Sequence, residues 1–115
     1  MITRDGRTDL KDYIILQYTT AKVGTGGDST NPNASDLDSP VGASITGITP
    51  ISSGETSVDW KFTIAGSGYV GHTIKEVGIF NATSPNEMLL RVNYDSIGPL
   101  TATDQIEFII TIEVD

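Results

Sequence analysis

Near its C-terminal end the chain alternates. Ile106, Phe108, Ile110, Ile112 and Val114 fall on one side of an extended segment, with Gln105, Glu107, Thr111 and Glu113 on the other. A period of two over that length predicts a strand with one buried face. Residues 56–64 repeat the pattern, setting Val58, Trp60, Phe62 and Ile64 against Asp59, Lys61 and Thr63. Met88, Leu90, Val92 and Tyr94 do the same against Glu87, Leu89, Arg91 and Asn93. Residues 73–82 differ, because apolar side chains occupy both faces: Ile74, Gly78 and Phe80 share one with Glu76, and Val77 and Ile79 share the other with Lys75. A strand covered on both sides belongs inside its sheet rather than at an edge.

The remaining pattern is weaker. Thr3 is placed to cap a short helix or turn reaching about Asp12, after which the β-branched and aromatic residues of 13–23 predict a first strand. Residues 24–40 form a long polar loop built of Gly, Asn, Asp, Ser and Pro, with a one-turn helix expected around 35–37. A strand is expected over 44–51, followed by the turn Ser52-Ser53-Gly54-Glu55. Six or so evenly spaced strands without a long helix predict an all-β fold, an antiparallel β-sandwich with a short N-terminal helix, as one domain over 1–115.

Composition narrows the function classes. The 115 residues carry 7 Lys and Arg against 15 Asp and Glu, a net charge of −8, and the basic residues form no run. Binding that tracks a phosphate backbone needs clustered cations, so no nucleic-acid partner is expected. The chain lacks an apolar run near the about 20 residues that span a bilayer, and its first residues lack the apolar segment of a secretory signal. No membrane association is expected, and synthesis is expected in a cytoplasm. With zero cysteines, disulfide staples, thiolate zinc sites and cysteine catalysis are excluded.

Candidate chemistry is sparse. Asp28, Asp36 and Asp38 offer oxygen ligands within one loop, but they lack the spacing and distal glutamate of an EF-hand and fit solvated, capping aspartates better. Gly24-Thr25-Gly26-Gly27 follows a strand as a phosphate loop would, yet it has neither the Gly-Lys-Ser/Thr ending nor GxGxxG spacing, so tight-turn glycines explain it. His72 is the sole histidine and is expected at an exposed strand start. No serine sits in a nucleophile elbow. Trp60, Tyr69 and Tyr94 are the candidates for a sugar-stacking platform; Trp60 is in phase with the core, and Tyr69, among glycines, is the one expected at the surface. Glu76 lies among apolar neighbours. Its expected role is structural, paired with Arg91 or Lys61, or accepting N–H groups from a neighbouring loop. No cofactor and no enzymatic activity are expected.

One resemblance carries the reading further. Thr73-Ile74-Lys75-Glu76-Val77-Gly78-Ile79-Phe80-Asn81-Ala82, followed by Met88-Leu89-Leu90-Arg91-Val92, resembles a motif of tail-fibre and appendage proteins of tailed bacteriophages. Similar upstream and downstream segments are Ala21-Lys22-Val23-Gly24-Thr25-Gly26, the Pro- and Asp-containing loop, and Leu100-Thr101-Ala102-Thr103-Asp104-Gln105. The resemblance implies a virion structural protein, a tail-fibre, baseplate or appendage-associated subunit that acts by assembly with other virion proteins and copies of itself. Trimers are what fibre-like assembly implies. The alternatives are a head decoration or turret subunit and a carbohydrate-binding module. Glu76, Gly78 and Arg91 are then structural. Arg4, Arg7, Lys11, Asn31 and Pro32 are the expected assembly contacts, because the strands themselves are needed for the core.

Overall fold

The structure, a computed structural model, describes residues 1–27, 32–83 and 86–114. It is mostly β: an N-terminal helix and two packed antiparallel sheets, one of four strands and one of three. Helix α1 spans Arg4–Gln17. The strands are β1 (Thr20–Gly24), β2 (Pro40–Ile45), β3 (Ile51–Ser52), β4 (Ser57–Ala65), β5 (Ile74–Phe80), β6 (Met88–Ile97) and β7 (Gln105–Glu113). The four-stranded sheet runs β2-β1-β5-β6 and the three-stranded sheet β3-β4-β7. As its two-sided pattern predicts, β5 is internal, paired with β1 on one side and β6 on the other.

Thr3 caps α1 through its hydroxyl oxygen, which accepts the Gly6 N–H at 3.1 Å, and Asp5 lies in the first turn where the helix dipole favours it. The helix continues past Asp12 to Gln17, so the strand expected from Tyr13 begins only at Thr20. Tertiary packing overrides β propensity there: Ile14, Ile15 and Tyr18 lean on the core, and Trp60 Nε1 donates to the Tyr18 carbonyl at 2.8 Å. Lys11, on the same helix, is buried and donates to the carbonyls of Gly54 and Glu55 in the turn before β4.

The core between the sheets is built by Ala21 and Val23 of β1, Ile74, Val77 and Ile79 of β5, and the inward residues of β4 and β7. Val58, Trp60, Phe62 and Ile64 are buried as their alternation predicts, and Phe62 stacks on Phe108 at 5.2 Å. Ile74 is a correction. The register with β6 shifts between Ile74 and Glu76, and across that irregularity Ile74 joins Val77 and Ile79 instead of the Glu76 face.

The strand expected over 44–51 is also corrected. Pairing runs over Pro40–Ile45, then stops until the two-residue β3. Most of β2 is exposed and Gly42 has φ of +71°, so it shows no alternation in sequence. Gly42 also makes room for Tyr69, whose ring carbon lies 2.5 Å from where a Cβ would stand. Tyr69 is therefore not at the surface: it is 8% exposed and part of the core, and burial raises its pKa. Residues 35–37 form no helical turn: the chain bends at Asp36, whose carboxylate accepts the Leu37 N–H at 2.8 Å. That local bond satisfies the backbone without a helix.

Candidate functional site

The outward face of the four-stranded sheet is where the motif residues meet the long loop. Antiparallel register puts Lys22 opposite Gly78 and Gly24 opposite Glu76, and on the other side Gly78 opposite Arg91 and Glu76 opposite Asn93. Side chains two apart on β5 share a face, so Glu76, Gly78 and Phe80 form one outward row. All three are buried, with Gly26, Asp38 and Ser39 bonded to Glu76, Leu37 against Gly78 and Lys22 over the Phe80 ring.

Glu76 holds that loop down. Its side chain is fully buried. Oε2 accepts the Gly26 and Ser39 N–H groups, each at 2.8 Å, and Oε1 accepts the Asp38 N–H at 2.9 Å. A buried carboxylate is costly unless hydrogen-bonded, and backbone N–H groups from both ends of the loop supply those bonds. Of the partners expected for Glu76, the neighbouring loop is the one observed. Arg91 instead pairs with Asp38 at 3.0 Å, and Lys61 lies 3.9 Å from Glu107 on the other sheet.

Two cation contacts flank the latch. Arg91, whose side chain is only 4% exposed, reaches Asp38. Lys22 stands 4.4 Å from the Phe80 ring centroid and 3.5 Å from Asp36. Buried Leu37 closes the top, within 2.9 Å of the position a Cβ on Gly78 would take, with Phe80 at 2.7 Å from the same point. Asn93 adds donors from its amide to the carbonyls of Gly26 and Lys75.

The glycines of 24–26 have a sharper role than turn formation. A Cβ on Gly24 would stand 2.6 Å from Glu76 Oε2, and one on Gly26 would meet both Glu76 and Asp38. They are glycines because the carboxylate fills the space beside them. Asn93, Lys22, Leu37 and these two glycines are site residues that sequence reasoning missed. The available signal was an acidic residue in an apolar strand together with a glycine pair in the same loop system.

The arrangement offers little for proton transfer or metal binding. Glu76 is occupied by backbone donors, and Asp36 and Asp38 each face a cation. Among the described residues, no three His, Asp or Glu side chains converge as metal ligands. Asp28 and Asn31 lie outside the described residues. His72 is exposed, as expected. Of the expected assembly contacts, Arg4 pairs with Glu55 at the surface, Arg7 donates to the Ile2 carbonyl at 3.0 Å, and Pro32 is exposed. Lys11 is committed to its bonds within the chain. Trp60 and Tyr69 are core residues, and half-buried Tyr94 lies 5.8 Å from Phe108, so the three do not form a stacking platform.

No protein-family model matches this sequence, and no curated protein matches it either.

Proposed function

We propose that this chain is a β-sandwich subunit of a tailed-virus particle, belonging to a tail fibre, baseplate or appendage and acting by protein–protein assembly rather than catalysis. One observation carries the reading. The most distinctive positions of the fibre-like motif, Glu76, Gly78, Phe80 and Arg91, converge on one task, fastening Gly26 and residues 37–39 across an internal strand. A motif spent on internal fastening fits a building block whose partners dock on other surfaces. Its partners are other virion proteins and copies of itself, and its place is the virion, after synthesis in a host cytoplasm. The carbohydrate-binding alternative called for an exposed Tyr69 beside the loop aspartates, and the burial of Tyr69 in the core counts against it.

The test is mass spectrometry of gradient-purified virus particles from the culture that produces this chain. Recovery at a fixed ratio to the other structural proteins is expected. Presence in infected cells but absence from particles would overturn the proposal.

A further inference from the structure

A sheet edge exposes unpaired backbone donors and acceptors, and proteins normally blunt it with proline, bulges or very short strands. Among the described residues the two sheets have four edges, and three of them are blunted. β2 carries Pro40, the positive-φ Gly42 and a register shift against β1. β3 has two residues, and β6 is irregular against β5 at both ends. β7 is different. It pairs with β4 in unbroken register over nine residues, from Gln105 opposite Ala65 to Glu113 opposite Ser57, and has no proline.

The polarity of that edge follows from its two ends. Val114 N–H donates to the Thr56 carbonyl, and Gly66 N–H donates to the Asp104 carbonyl. Even-numbered residues of β7 thus direct their backbone groups to β4, and strict alternation in an antiparallel ladder turns those of Gln105, Glu107, Ile109, Thr111 and Glu113 to the open side. Ile109, in the middle, is also 60% exposed.

We infer that the open edge of β7 pairs antiparallel with β7 of a second copy about a two-fold axis at Ile109, joining the two three-stranded sheets into one of six. The occupant follows from self-complementarity. With Ile109 opposite Ile109, Glu107 faces Thr111 and Glu113 faces Gln105 of the other copy, so no carboxylate opposes another. On the inner face Phe108 meets Ile110 and Ile106 meets Ile112. An axis at Glu107 sets Glu107 against Glu107 and one at Ile110 sets Glu107 against Glu113, while axes at Phe108 and Thr111 each set a carboxylate, of Glu107 or of Glu113, against Ile109. Directly opposed like charges destabilise a strand pair, and apolar pairs stabilise it. The register at Ile109 is the one that satisfies both. The inference stands apart from the virion proposal, since it concerns the isolated chain.

Sedimentation equilibrium of the purified chain at millimolar concentration, in enough salt to screen its net charge of −8, tests this. A mass of twice 12.2 kDa is expected. Ile109→Lys sets two ammonium groups opposite one another and should weaken the dimer by roughly tenfold or more. Ile109→Pro removes an N–H that points away from β4 and should do the same. Far-UV circular dichroism should be unchanged in Ile109→Lys, which decides the matter should the proline variant unfold. Because the chain has no cysteine, Ile109→Cys carries a single nitroxide, and the dimer should show strong spin–spin broadening. A monomer throughout, a trimer mass, a dimer indifferent to Ile109→Lys, or a dimer without broadening would each overturn the inference.

Discussion

The outer faces of the two sheets are built on opposite plans. On the four-stranded sheet the outward row of β5, Glu76, Gly78 and Phe80, is buried under a loop bonded to a single carboxylate. On the three-stranded sheet the outward row of β7 is exposed, and its polar contacts are surface ones such as Thr111 to Asp59 at 2.6 Å and Lys61 to Glu107 at 3.9 Å. The first face is therefore part of the folded interior, although it carries the family-like motif. The second, with its open edge, is free to meet another molecule. A motif that suggests a family need not mark where that family binds.

Substitutions should separate the two faces by the size of their effect. Glu76→Ala leaves the N–H groups of Gly26, Asp38 and Ser39 without their acceptor, and since each buried orphan costs about 1–3 kcal/mol, a loss of roughly 3–5 kcal/mol in urea unfolding is expected. Glu76→Gln, which retains one acceptor oxygen, should lose less. An effect of Glu76→Ala within the surface range would dissolve the distinction between the faces. Next in size is Gly78→Ala, whose added Cβ presses on Phe80 and Leu37 and should cost about 1–3 kcal/mol by the same measurement.

A smaller, alkaline effect comes from the interior tyrosines. Burial raises the pKa of Tyr69 and Tyr94 above the ordinary 10.0. Their folded-state pKa exceeds the unfolded one, so they contribute stability below about pH 10 that is lost as pH rises through the folded value. Thermal melts between pH 8 and pH 11 should show Tm falling at the upper end, and Tyr69→Phe should flatten the slope. Smallest of all is Lys61→Ala on the open face, whose partner Glu107 is half-exposed; it should change stability by no more than about 0.5 kcal/mol.

How far the fold was legible depended on how each strand divides its faces. β4 and β7 bury one face and wet the other, so Val58 to Ile64 and Ile106 to Ile112 alternate visibly. The two-sided pattern of β5 was equally readable as an internal strand. β2 was not, because an exposed edge with a positive-φ glycine has no hydrophobic period to read. The end of α1 was hidden for a different reason: Tyr13, Ile14 and Ile15 favour strands locally, and the contacts of Ile14 and Ile15 with the core hold the segment helical. Glu76 was visible as a buried carboxylate with three possible partners. Choosing among them required knowing that a loop more than 35 residues earlier in the chain returns over it, which no local pattern encodes. Tyr69 misled because its glycine neighbours signal a turn, while the space it enters is opened by Gly42, far from it in sequence.

One carboxylate ties the loop to the sheet, and amide hydrogen exchange at Gly26, Asp38 and Ser39 reports on that tie. The wild-type chain should protect all three amides well beyond the exposed Gly27 and Gly47 of nearby loops, and Glu76→Ala should release the three together while the β4 and β7 amides stay protected. Exchange of the three at the rate of an open loop in the wild-type chain, or protection that survives the loss of Glu76, would contradict it.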